Sequence, residues 1–159
     1  MFRIVMLAAM SLCSVTAQAA SWKLFNSYTE TVVYFFDSDT IVKNGDTVTL
    51  WYKLVQEENT PASDGSYSAV QRGVYNCKKR TAQALTTSTF DKSHQYIRTY
   101  PSGRAEDVIP DSMGEVILKE VCAGNFPKNY NRIDNNDVYT TANYVFTYMK
   151  NAKKNPAPK

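Results

Sequence analysis

The chain has 159 residues, enough for one domain of ordinary size and too few for two comfortable ones. Its 18 basic and 15 acidic residues give a net charge of +3, too weak to make a case for nucleic acid as a partner. After the first twenty residues no stretch is apolar and long enough to cross a bilayer, which excludes a helical transmembrane span from the remainder.

Those first residues, MFRIVMLAAMSLCSVTAQAA, read as a secretory signal peptide over residues 1–19. Arg3 supplies the positive start, Ile4 to Leu12 the apolar run, and Ala17-Gln18-Ala19 the small-residue cleavage site, with cleavage expected after Ala19. Bulky Leu12 ahead of Cys13 does not suit a lipid-attachment site. Removing the leader takes away Arg3 and no acid, and it leaves two cysteines, Cys77 and Cys122. In an oxidising compartment two cysteines permit one intramolecular bridge. Closing a loop of that length contributes roughly 4 kcal/mol in the chain-entropy model. Two separate thiols are the competing reading.

In chain order the elements are mostly strands. Trp22 to Phe25 is a short first candidate, and Thr31 to Phe36 is dense in β-branched and aromatic residues. Thr40 to Lys43 and Thr47 to Val55 flank Asn44-Gly45, a dipeptide suited to a type I′ hairpin turn. Within the second of these, Val48, Leu50, Tyr52 and Leu54 fall on one face, with Thr47, Thr49, Trp51 and Lys53 on the other, wetter one. Glu57 to Ser66 is loop chemistry around Pro61 and Asp64-Gly65. Tyr67 to Lys78, Thr81 to Phe90 and Gln95 to Tyr100 complete five or six strands, joined by connections short enough for an antiparallel meander.

The period then changes. Ser112 and Glu115 form a capping box ahead of Val116, Leu118, Val121 and Cys122, with Ile117 flanking, and Gly124 is placed to end the helix. The expected fold is therefore α+β: an antiparallel sheet of five to six strands packed against a C-terminal helix, with Cys122 fastened to Cys77. The domain is drawn over 20–123. Residues 124–149 form an extension in which Val138, Ala142, Val145, Phe146 and Met149 recur at helical spacing, while the threonines and tyrosines favour a strand; a helix opened by Asp137 is the preferred reading. Residues 150–159 read as a disordered basic tail.

One order of signals is familiar. Tyr34-Phe35-Phe36-Asp37, Asp39-Thr40-Ile41 and Trp51-Tyr52-Lys53 come first; Val74-Tyr75-Asn76-Cys77 with Arg80 follows; Val108-Ile109-Pro110-Asp111-Ser112 leads through Glu115 to Val121-Cys122. This resembles the surface-adhesin protein E-like family of small secreted or surface-attached bacterial proteins, over about residues 22 to 123. The resemblance implies an antiparallel sheet on one C-terminal helix with the cysteines bridged, and binding of host matrix or plasma proteins by some members. The residues after Cys122 extend past the shared region.

Catalysis has little to work with. His94, the sole histidine, lies in DKSHQY with no nucleophile motif, and is read as a solvated strand-edge residue. No metal-protease helix, paired CxxC or phosphate loop is present, and no cofactor is expected. Asp37-Ser38-Asp39 and Asp134-Asn135-Asn136-Asp137 hold enough oxygens to suggest calcium, yet lack the glycine and distal glutamate of a calcium loop. Lys78-Lys79-Arg80, with Arg72 upstream and Lys92 downstream, is the candidate surface for an acidic partner; a solvated hairpin turn is the plainer reading. Aromatics in Tyr34-Phe35-Phe36 and Tyr139 to Tyr148 suit either core packing or an interface, including a homodimer. The function expected is an exported, non-enzymatic binding module for a protein ligand, sited in the periplasm or at the outer surface. The alternative is a periplasmic inhibitor resembling the lysozyme inhibitors, to which only Tyr75-Asn76-Cys77-Lys78 is similar.

Overall fold

The computed structural model describes residues 20–124, 126, 133 and 135–154. The elements are β1 (Trp22–Tyr28), β2 (Val32–Asp37), a 3-10 turn (Ser38–Thr40), β3 (Val42–Asn44), β4 (Thr47–Gln56), β5 (Ser68–Asn76), β6 (Thr81–Phe90), β7 (Tyr96–Tyr100), β8 (Glu106–Asp107), α1 (Met113–Ala123) and α2 (Asn135–Lys154). The strands form one antiparallel sheet in the order β1-β2-β4-β5-β6-β7. The sequence predicts five or six strands, with segments at each of these and at short β3; β8 is the strand it does not foresee. β3 pairs with Thr47 to Thr49 of β4, continuing the row that β2 begins at Tyr52 to Gln56. β8 likewise adds to β6 beyond the reach of β7.

The β3–β4 turn differs from expectation. Asn44 pairs with Thr47, so the two central residues are Gly45 and Asp46, and only Gly45 is left-handed, at φ 57°. That is the pattern of a type II′ turn, which needs glycine at its first central position alone.

Both faces of the sheet are covered. On one, Phe36, Val48, Leu50, Tyr52 and Tyr75 pack with Ile117, Leu118 and Val121 of α1. On the other, Trp22, Val33, Phe35, Val55 and Tyr67 pack with Val138, Ala142, Val145 and Phe146 of α2. Each fully buried apolar side chain of this size contributes about 1.5–3 kcal/mol. The second layer corrects the reading of β4: Lys53, placed by its alternation on a wetter face, is only 3% exposed because α2 lies over it.

At α1, Ser112 is the N-cap, its Oγ accepting from Glu115 N at 3.3 Å, and Gly124 closes the helix at φ 64°. The reciprocal half of the box is shifted by one residue, since Glu115 accepts from Asp111 N at 2.9 Å. The apolar stripe is also rotated from the expected one. Ile117 is buried and Val116 is 41% exposed, because 117, 118 and 121 share a face that 116 does not. A 45-residue separation is closed by the Cys77–Cys122 disulfide, whose Cα atoms are 5.6 Å apart, fastening the last turn of α1 to the β5–β6 turn.

Past Cys122 the chain forms α2, which opens at Asn135, two residues before the Asp137 at which the sequence reading opens a helix. It also runs through Lys154, into the segment expected to be disordered. Lys150 donates to Glu57 at 2.9 Å and Lys153 to Glu30 at 2.7 Å, and lysines in a last turn complement the helix dipole. Residues 155–159 lie outside the described set.

Candidate binding surface

The four basic residues singled out in the sequence do not form one patch. Lys78, Lys79 and Arg80 occupy the exposed β5–β6 turn, where Asn76 Oδ1 accepts from Lys79 N at 2.8 Å. Arg72 stands mid-strand on β5, opposite Trp51, on the α2 side of the sheet. β5 runs on for four residues past Arg72 before the turn begins, a rise of about 13 Å.

Within the turn the roles divide further. Arg80 is left-handed at φ 55°; its guanidinium pairs with Glu115 and its carbonyl accepts from Val108 N at 2.9 Å. Glu115 gathers Asp111 N, Arg80 and Lys119, and these hold its carboxyl below the usual range, the Asp111 amide foremost. Arg80 therefore ties α1 to the turn, and Lys78 and Lys79 are the cations it leaves facing outward. Lys92 pairs with Glu58.

His94 is not merely solvated. It sits in the β6–β7 loop at φ 62°, exposed, with its ring stacked on Tyr139 of α2 at 3.7 Å between centroids. Tyr139 also stacks on Tyr67, shares a hydrogen bond with Ser68 Oγ at 3.1 Å, and has Lys53 Nζ 4.5 Å from its ring centre. Burial pushes the Lys53 ammonium down to about 8. Sequence reasoning missed this cluster, because its members come from β4, β5, β6–β7 and α2.

The aromatic stretches divide as well. Phe35 and Phe36 are fully buried, whereas Tyr144 and Tyr148 on α2 are 72% and 57% exposed. On the terminal strand β7, Tyr96 and Tyr100 are exposed, and Tyr100 donates to Asp64 at 2.8 Å. Ser66 and Tyr100 hold the Asp64 carboxyl down to about 2.

Two concavities among the described residues bear on binding. One, of about 210 Å³, lies among Tyr52, Gln71, Tyr75, Arg104 and Glu106 on the α1 side. Its two tyrosine rings lie 6.4 Å apart between centroids; burial pushes Tyr52 up to about 12 and Tyr75 well above the usual range. The other, of about 300 Å³, is lined by Ala20, Trp22, Asp37, Thr40, Trp51 and Val70. Asp37 is here a structural carboxylate: its Oδ1 accepts from Ser21 N at 3.1 Å and Asp39 N at 3.2 Å, forming the N-cap of the 3-10 turn. Asp134, from the other Asx cluster, lies outside the described residues.

A family model for surface-adhesin protein E matches residues 22–123, running from the first residue of β1 to the last of α1. The chain belongs to the surface-adhesin protein E family. Its matched part holds the eight described strands, α1 and the two bridged cysteines, and α2 lies outside it. Among solved structures, one of Haemophilus influenzae protein E aligns at 16% identity and a TM-score of 0.40, covering 57% of this chain and 77% of that one. Another, of protein E from non-typeable Haemophilus influenzae, aligns at 15% identity and 0.43, covering 70% and 82%. No curated protein matches the chain. Membership of a surface-adhesin family implies a surface-exposed role, and no described helix is long and apolar enough to cross a membrane.

Proposed function

We propose that this adhesin E family member is an exported, non-enzymatic binding module that holds a protein ligand at the bacterial surface, the ligand class being host matrix or plasma proteins. The family match across the whole sheet and α1 carries the reading. Lys78 and Lys79 make the first contact with an acidic patch, since they are exposed and Arg80 fixes the turn that presents them. Arg72 contributes separately, from the other side of the sheet.

Purified protein would be tested against immobilised matrix and plasma proteins, with and without K78E/K79E. Exposed charges act mainly on encounter, so the double reversal should slow association severalfold and flatten its salt dependence. Unchanged binding to every partner would reduce both lysines to solubility residues. Labelling of intact cells tests location: a protein unreachable from outside, yet inhibiting lysozyme when purified, would replace the adhesin reading with the periplasmic one.

A further inference from the structure

The second concavity holds a carboxylate that the fold does not fully use. Asp37 is only 7% exposed, both its described hydrogen bonds go to Oδ1, and Oδ2 takes none among the described residues. No buried side-chain oxygen or nitrogen among the described residues lacks a partner, so Oδ2 keeps contact with solvent and stays open to a donor entering the cavity that Asp37 lines. The remaining walls say which donor suits it. Trp22 and Trp51 are the chain's two tryptophans, and indole faces favour a cation over a neutral group. Little else in the lining competes for such a group, because Thr40 already donates to the Asp37 carbonyl and accepts from Trp51 N. Arg72 is opposite Trp51, a further strand away from Asp37, and is not bonded to it.

A cation is available from the chain itself. Ala20 lines the same cavity, and the amide of the next residue, Ser21, already lies 3.1 Å from Oδ1. Consecutive backbone nitrogens are only about 3 Å apart, so a charge on Ala20 N needs little more than a bond rotation to meet Oδ2. We propose that this cavity is a primary-ammonium site and that its occupant is the processed amino terminus at Ala20. The proposal rests on the expected cleavage after Ala19. Before cleavage Ala20 N is an uncharged amide. Afterwards it becomes an ammonium beside a carboxylate with apolar walls, where ion pairing is stronger than at an open surface. Export then completes the fold: β1 is pinned to β2 by a charge pair that the precursor lacks.

Intact mass of the exported protein tests the premise, with a first residue of Ala20 expected. The site is tested on protein beginning at Ala20, compared with the same protein carrying one extra glycine ahead of it, each in wild-type and D37N forms. D37N keeps the Oδ1 acceptor and removes the charge. The added glycine should lower the thermal midpoint by about 4 °C in the wild-type background and by less than about 1 °C in D37N. An equal loss in both backgrounds, or none in either, overturns the site. A second readout needs no variant: the Ala20 α-amine of the native protein should acylate severalfold more slowly than in the urea-unfolded chain, and a ratio near one overturns the pairing. An exported protein beginning elsewhere overturns the proposal through its premise, a failure read separately from the other two.

Discussion

Replacing both bridge residues, C77A/C122A, tests the claim that one covalent tie holds α1 to the sheet. The 45-residue span between them contains β6, β7 and β8, none of which closes that loop on α1 by backbone pairing. Loop-closure entropy for this span comes to about 4 kcal/mol near room temperature. Both cysteines are half-buried, so trimming them to alanine adds only a modest packing loss. For a domain of this size the thermal midpoint should fall by about 10–16 °C. Thermal melts by circular dichroism, with and without reductant, make the measurement. Reductant should shift the wild type nearly as far as the double variant and leave the double variant unmoved. Urea melts add a second check, since the released chain exposes more surface on unfolding and its m-value should rise. A midpoint within about 3 °C of wild type would refute the reasoning, because it would mean that Ile117, Leu118 and Val121, with the Arg80–Glu115 pair, hold the helix in place without the bridge.

Further outcomes are as specific. Stability should rise between about pH 8 and 10, because the unfolded chain binds a proton at Lys53 that the folded state has shed from about 8; the gain is about 2 kcal/mol by pH 10. Above pH 10 it should fall again, as Tyr52 and Tyr75 ionise in the unfolded chain while burial keeps them neutral in the folded one. Urea midpoints at pH 7.5, 9.5 and 11 would trace this, and a steady decline from 7.5 would contradict it. Gly73→Ala places a Cβ 2.9 Å from Tyr52 Cε1 and 3.1 Å from Tyr75 Cε2, so it should cost about 1–3 kcal/mol, read by denaturant titration. Deleting α2 should bare Val33, Phe35, Val55 and Tyr67, giving strong binding of a hydrophobic dye where the intact protein gives little. Ser112→Ala should lower stability by about 1 kcal/mol through loss of the α1 cap.

Local rules made much of this protein legible without coordinates. The β6 bounds at Thr81 and Phe90, the Ser112 cap and the Gly124 stop follow from propensity, turn chemistry and capping, which act over a few neighbouring residues. The cysteine pairing followed from having only two sulfurs left to join once the leader is set aside. Tertiary structure alone decided whatever depends on a second layer. The alternation of β4 says that Lys53 faces away from Leu50, but not that α2 will cover it, because alternation reports which face a residue takes and never what lies above that face. The same limit hid the division of Arg72, Lys78, Lys79 and Arg80 between two surfaces and an ion pair. It also hid the stacking of His94 on Tyr139, and the meeting of Asp37 and Ala20 at one cavity. These depend on contacts between segments distant along the chain, and only packing brings them together.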